Sequence, residues 1–312
     1  MNILITGGRG YLGGHLCQHL GSAKGYQVFS GSRRPISGVQ HIAEERVMNW
    51  SSRDSLLESC TDIDTIVHLA AMNANDCGDD SIAALTINGV GTARLLEAAK
   101  IAGVRRFLYI STAHVYGNPL VGNITEETLP FPVHPYATSH RAAEDLVLAA
   151  QRAGQIEGVV IRLSNAFGSP MRADANCWDL LFNDLCRQAV TKKTIMLRST
   201  GMQKRDFVPI KDVCRAIKHL LILPLESFDK PLFNVGGNWS PTVFDVALLV
   251  AGRFEERKGY RPQINRLIPK SEERATNLSY CIDRLRGTGF ILEADKFTEL
   301  DGLIDFCTDI FG

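Results

Sequence analysis

Short apolar, β-branched runs alternate along the first half of the chain with segments whose apolar positions recur every three or four residues. The runs cover Asn2 to Thr6, Gln27 to Ser30, Thr65 to Leu69, Arg106 to Ser111 and Gly158 to Leu163, each bounded by polar or glycine-rich residues. That pattern predicts buried strands. Between them, Leu12 to Leu20, Ser81 to Ala99 and Tyr136 to Arg152 carry helical spacing. Strand and helix in alternation predict an α/β fold, a doubly wound parallel sheet with right-handed crossovers. After Gly168-Ser169-Pro170 the alternation weakens, and from Pro262 onward polar residues and short helical pieces dominate. A smaller mixed α/β part is expected there, covering the carboxyl ends of the strands, where open sheets bind ligands.

Composition narrows the possible partners. The 312 residues include 34 basic and 34 acidic side chains and are 45% hydrophobic, an ordinary globular balance. With no net charge, the chain has no overall attraction for nucleic acid or an anionic membrane, so binding has to come from local sites. Eight cysteines (Cys17, Cys60, Cys77, Cys177, Cys186, Cys214, Cys281 and Cys307) are scattered without any C-x-x-C pair. Buried thiols are expected from that spacing, with no metal site or disulfide framework. The longest apolar stretches, such as Leu220 to Leu225, fall far short of the ~20 residues that span a bilayer. Met1-Asn2-Ile3-Leu4-Ile5 runs straight into a glycine cluster without a basic start or cleavage site, so a cytoplasmic location is expected.

That cluster, Gly7-Gly8-Arg9-Gly10-Tyr11-Leu12-Gly13, follows the first predicted strand and opens the first predicted helix. A glycine triplet alone is weak; in this position it predicts a phosphate-binding loop. Such a loop must turn tightly, let a pyrophosphate approach bare N–H groups and pack helix against strand, and glycine permits all three. Residues 1–168 with about 205–236 are therefore expected to form a dinucleotide-binding domain, and about 169–204 with 237–312 a substrate-binding domain. At the end of the second strand, where an Asp or Glu would hold the ribose hydroxyls of NAD, the chain has Gly31-Ser32-Arg33-Arg34. Arg33 and Arg34, joined by Arg9, suit a 2′-phosphate through bidentate bonds. NADP is the expected cofactor, with NAD the alternative. Asn49 is a candidate for the adenine edge, and a solvated loop asparagine is the competing reading.

Thr112-Ala113-His114-Val115-Tyr116-Gly117 ends the Arg106 strand, and about two dozen residues later comes Pro135-Tyr136-Ala137-Thr138-Ser139-His140. With the glycine loop, this arrangement resembles the extended short-chain dehydrogenase/reductase family of nucleotide-sugar epimerases, dehydratases and ketoreductases. Further matches are His68-Leu69-Ala70-Ala71, Asn88 in Asn-x-x-Gly-Thr, Arg162 to Gly168, Arg205-Asp206-Phe207-Val208 with Asp212, and Phe233-Asn234-Val235-Gly236. The resemblance implies a Rossmann domain and a cofactor site of Gly7, Arg9, Gly10, Tyr11, Leu12, Gly13, Ser32, Arg33, Arg34, Asn49, Leu69, Ala70, Ala71, Asn88, Tyr136 and His140. It implies that Tyr136 exchanges a proton with a sugar hydroxyl or ketone while hydride moves, and that Thr112 hydrogen-bonds the same oxygen. Asn165, Arg205 and Arg274 match positions that hold the diphosphate of a nucleotide sugar, and Asn234, expected at a strand end, is a further candidate for the base or merely for a turn. For Arg274 a solvated turn is the equal alternative.

The family pattern is Tyr-x-x-x-Lys, and here the fourth residue after the tyrosine is His140. Residues four apart share a helical face, so an imidazole takes the place of the ammonium that holds the nicotinamide ribose and lowers the tyrosine pKa. Three consequences stay open: a protonated His140 acting as a weaker lysine, a neutral one that only hydrogen-bonds the ribose, or a chain that binds cofactor with little chemistry. The family's dehydratases carry an Asp-Glu pair after the threonine, where this chain has Ala113-His114, which disfavours water elimination. Keto-sugar reduction or 4-epimerisation by an NAD(P)-dependent enzyme is the preferred expectation. A dinucleotide-binding sensor or assembly protein is the rival. Family members pair through helices, and Ser81 to Ala99 with Tyr136 to Arg152 are the candidates for a homodimer contact.

Overall fold

A computed structural model describes residues 1–34, 43–224, 226 and 230–312. They form two compact units: residues 1–118, 129–163 and 214–234, and residues 119–128, 164–213 and 235–312.

The first unit is built on a seven-stranded sheet, ordered Leu232–Val235, Glu157–Leu163, Arg106–Thr112, Thr65–His68, Asn2–Thr6, Gln27–Ser32 and Glu44–Val47. From Glu157–Leu163 to Glu44–Val47 the pairing is parallel. The predicted strands occur where the apolar runs placed them. Leu4, Ile66, Phe107 and Val160 lie on successive strands and share one core with Leu95, Leu96, Ala143 and Val147 of the covering helices. Both faces of the central strands are covered, which is why they are apolar runs without alternation.

One expected helix departs from the prediction. Ser81 to Ala99 carries uninterrupted helical spacing, yet the chain runs as Ser81–Ala84, a π-helical stretch Leu85–Val90, and the helix Gly91–Ile101. The wider turn brings Asn88 and Gly89 into the interior, and such insertions accompany functional sites.

In the second unit three parallel two-stranded pairs, Asn165–Phe167 with Phe207–Pro209, Thr194–Met196 with Gln263–Asn265, and Gly122–Ile124 with Leu278–Tyr280, are present among the described residues. Helices Leu181–Lys192, Val243–Lys258 and Lys296–Phe311 bury Phe182, Phe254 and Leu300 with Phe167 and Phe207. The expected boundaries shift here. Residues 164–168 and 205–213 belong to the second unit, as does the segment 119–128, because Asn165–Phe167 and Phe207–Pro209 pair with each other and not with the large sheet. The cysteines are free thiols, all buried except the half-buried Cys281. Among the described residues no helix is long and apolar enough to cross a membrane.

Candidate active site

The glycine loop has the shape a pyrophosphate needs. Gly7 takes a positive φ of 69°, and a Cβ there would stand 3.0 Å from the Ala70 backbone nitrogen. At Gly13 a Cβ would lie 2.1 Å from the Gly7 carbonyl oxygen, so helix and loop touch backbone to backbone. The helix Tyr11–Gly21 starts at Gly10 with no side-chain cap and no acidic residue in its first turn. An uncapped helix start of this kind turns its positive dipole end towards an anion. These observations fit a dinucleotide. Arg9 is half-buried beside this turn, Ser32 ends its strand with its hydroxyl on the Arg34 carbonyl (2.6 Å), and Arg33 and Arg34 are exposed. Asn49 is exposed and its Oδ1 accepts from the Ser51 N–H (3.0 Å), the closed turn of the solvated-loop reading.

Leu69 and Ala70 follow the strand Thr65–His68, and their N–H groups donate to Thr6 Oγ1 at 3.2 Å each. Asn88 is 1% exposed, with Oδ1 accepting from the Met72 N–H (2.7 Å) and Nδ2 donating to Ser139 Oγ (2.9 Å). Its side chain is spent on protein atoms, bracing the Ala71 loop and the start of the helix Pro135–Arg152, in place of the direct cofactor contact that the sequence suggested. Asn234 is likewise wholly buried, and its Oδ1 accepts from Tyr116 (2.8 Å). It brackets the chain after Thr112 where a substrate contact had been expected.

The helix Pro135–Arg152 begins with Pro at a first-turn position, His134 capping the Tyr136 N–H through Nδ1 (3.2 Å). Its first turn brings Tyr136 beside Thr112, and burial pushes the phenol up to about 12 although the nearby Thr112 hydroxyl opposes the shift. Thr112 Oγ1 also accepts from the His114 N–H (3.2 Å), fixing the oxygen while its own hydrogen stays available. His140 stands one turn on, its ring edge-on to that of Tyr136 at 4.5 Å between centroids. Nδ1 meets the Tyr109 hydroxyl at 2.7 Å, while Nε2 is buried without a partner among the described residues. Desolvation, helped by His114, lowers the imidazole to about 3. Burial in low-dielectric surroundings thus favours the neutral imidazole over a protonated stand-in for lysine.

Behind His140 a buried polar chain crosses three strands, which sequence reasoning missed. Thr6 Oγ1 lies 2.6 Å from His68 Nδ1 and His68 Nε2 lies 3.0 Å from Thr92 Oγ1, with the Tyr109 ring packed on that of His68 at 5.7 Å between centroids. The one available signal was a histidine ending the otherwise apolar Thr65-Ile66-Val67-His68 run.

In the second unit Asn165 donates to the Asp206 carbonyl at 2.9 Å. Arg205 is half-buried, its Nε unpartnered among the described residues and its guanidinium pKa lowered by desolvation. A buried cation short of partners suits an anionic ligand. Arg274 is exposed.

Residues 3–236 match the model of the NAD dependent epimerase/dehydratase family. The chain belongs to that family. An uncharacterized UDP-glucose epimerase of Bacillus subtilis is 27% identical over 267 residues, 80% of this chain and 81% of that protein. A dTDP-glucose 4,6-dehydratase of Streptomyces niveus is 28% identical over 262 residues, 79% of this chain and 76% of its own length. Among solved structures, MoeE5 in complex with UDP-glucuronic acid and NAD is 26% identical, with a TM-score of 0.82 over 98% of both chains. As an extended member of the family, the chain has the Rossmann sheet expected from its glycine loop.

Proposed function

We propose that this protein is an NAD(P)-dependent enzyme that reduces or epimerises a nucleotide-activated sugar, with Tyr136 as its proton donor and acceptor. The observation that carries the reading is the meeting of Tyr136, in the first turn of Pro135–Arg152, with Thr112 at the carboxyl end of Arg106–Thr112, in the unit that holds the glycine loop. The relatives named for UDP-glucose and dTDP-glucose, and the neighbour holding UDP-glucuronic acid and NAD, support the substrate class. When bound, the dinucleotide supplies or takes hydride. Gly7, Gly10 and Gly13 would hold its pyrophosphate, with Arg9, Ser32, Arg33 and Arg34 toward the adenosine ribose; the arginines favour NADP, and NAD is the alternative.

Tyr136 gives its proton to the substrate oxygen as that oxygen gains charge, and Thr112 donates a hydrogen bond to the same atom. With its pKa near 12, ionising the phenol at neutral pH costs roughly 7 kcal/mol at about 1.4 kcal/mol per pH unit. Giving its proton to the substrate leaves the same phenolate, which takes a proton back from water after turnover, so the preference for keto-sugar reduction rests on the arginines that favour NADP. Water elimination is not proposed, since Ala113 and His114 follow Thr112 and neither is a carboxylate. Asn165, Arg205 and Arg274 are assigned to the diphosphate, with Arg205 carrying most of the binding.

The test is turnover of nucleotide 4-keto sugars with each dinucleotide. Tyr136→Phe should lower kcat by roughly 10²–10⁴-fold while dinucleotide binding persists, and His140→Lys should raise turnover several-fold. One NADPH consumed per product identifies a reductase, and none an epimerase. Arg33→Ala should weaken NADP and spare NAD; equal affinities unmoved by the change would overturn the phosphate assignment. If both substitutions at 136 and 140 leave turnover untouched while dinucleotide binds, the protein is a binding or sensor member of its family.

A further inference from the structure

We propose that His134 is a positioning residue for Tyr136, holding the first turn of its helix through a cap that exists only while the imidazole is neutral, so that acid loosens the turn that sets Tyr136 beside Thr112. This deepens the reading of Tyr136 as the proton donor and acceptor and rests on it.

The cap falls on the backbone of the residue that matters. Pro135 opens the helix Pro135–Arg152 and has no N–H, so the first N–H of the helix belongs to Tyr136 itself. The Thr138 N–H already donates to the His134 carbonyl at 3.0 Å. The Tyr136 N–H donates to His134 Nδ1 at 3.2 Å, and the His134 backbone is extended, as at a helix N-cap. A backbone N–H can only donate, so Nδ1 is the acceptor and the neutral ring carries its hydrogen on Nε2. No hydroxyl rotation enters that assignment.

Serine, threonine and asparagine, the usual caps, present an oxygen that accepts without titrating. An imidazole differs, because its second proton goes to the lone pair that makes the cap. Protonated, Nδ1 becomes an N–H facing the N–H of Tyr136, and the ring becomes a cation at the positive end of a helix dipole. Both effects act against the turn. His134 is half-buried, so protons from solvent reach it. Its ring lies on Gly78, where a Cβ would stand 3.2 Å from Nε2. The helix that carries Gly78, Ala74–Asp79, also carries Asp76, Cys77 and Asp79, with Asp80 after it, and the ring's own helix carries Tyr136, His140 and Arg141 in its first turns. Ser81–Ala84 and Leu85–Val90, which line the same groove, have no ionisable side chain. Among the described residues the ring's one hydrogen bond is to the Tyr136 N–H, so the proton on Nδ1 is the change that breaks the cap.

The experiment is ¹H–¹⁵N NMR of the full-length protein without dinucleotide, following the Tyr136 amide and the His134 ring from about pH 8 to about pH 5, across the range in which imidazoles titrate. The two signals are assigned by their loss in Tyr136→Phe and His134→Asn under residue-selective labelling. At the alkaline end the ring should show an unprotonated Nδ1 and an Nε2–H. As it takes up its second proton, the Tyr136 amide should shift in step and exchange about 5-fold faster, the loss expected of one cap. His134→Asn supplies an oxygen that caps without titrating and should hold the amide in place at every pH, whereas His134→Ala should show the fast exchange at every pH. Turnover of a nucleotide 4-keto sugar is the second readout: wild-type kcat should fall in step with ring protonation at unchanged dinucleotide KM, and His134→Asn should remove that limb of the pH profile. An Nδ1–H ring in the neutral wild-type protein, or a Tyr136 amide indifferent to both the ring's proton and His134→Ala, would overturn the proposal. A Tyr136 amide that follows the ring while turnover does not follow it, or is absent at every pH, would establish the cap and sink the reading of Tyr136 as the acid and base.

Discussion

A histidine at position 140 replaces a permanent cation by a group that burial keeps uncharged, and the protein carries the consequence in its acid stability. His140 and His68 are both lowered to about 3, chiefly by desolvation, against about 6.5 in an unfolded chain. Tyr109 and Tyr136 pack against His140, and His114 and His68 are the titratable neighbours that act on or respond to it. Above about pH 6.5 neither state binds the proton and the histidines leave stability unchanged. As pH falls from there towards 3 the unfolded chain takes up protons that the folded protein refuses, and each histidine removes about 1.4 kcal/mol per pH unit. Urea denaturation between pH 5 and 6 should therefore show a slope smaller by about one proton in His140→Gln than in the wild type. An unchanged slope would mean that His140 is already solvated or cationic in the folded state.

At the scale of the element, the helix Pro135–Arg152 is fastened to the strand Glu157–Leu163 by a charge pair. Glu144 is 0% and Arg162 1% exposed; the guanidinium donates from Nε at 3.0 Å and from Nη2 at 2.7 Å, and lies over the Tyr116 ring at 4.6 Å. Burial works against the guanidinium charge, but the bond to Glu144 and its charge raise the Arg162 pKa overall. Glu144→Ala should cost about 3–5 kcal/mol by stranding that charge, and Glu144→Leu with Arg162→Met should recover most of it; chemical denaturation midpoints measure both. Because Tyr136 is on the same helix, Glu144→Ala is also expected to lower turnover. The π-helical stretch Leu85–Val90 was not legible from apolar spacing, since a single wide turn leaves the three-and-four repeat on either side intact. Within it the buried amide of Asn88 is held by the Met72 N–H and Ser139 Oγ, partners that apolar spacing does not register.

For the whole molecule, an exposed apolar surface bears on association. Ile82 is 79% exposed, Leu85 47% and Val90 42%, and the three line a groove with Pro132, Val133 and Thr138. Apolar side chains grouped in this way mark an interaction face, and the proposed occupant is a second copy of the chain, paired through the helices of this region. Light scattering should return about twice the chain mass for the wild type, and the monomer mass for Ile82→Glu with Leu85→Glu. A wild-type monomer at high concentration would remove the homodimer from the proposal.

The fold and the tight glycine turn were legible in the sequence because both rest on local rules. A strand buried on two faces has to be an apolar run, and backbone that touches other backbone as closely as at positions 7 and 13 has to be glycine. The identity of residue 140 was equally plain, but its charge was not. Charge depends on the dielectric around the ring and on which partner holds each nitrogen, and Nδ1 is held by Tyr109, 31 residues away on the strand Arg106–Thr112 and brought to it only by the packing of the sheet against its helices. For the same reason the fates of Asn88 and Asn234, buried as braces, were decided by tertiary structure: an amide looks the same in sequence whether its partners are a ligand or the protein's own backbone.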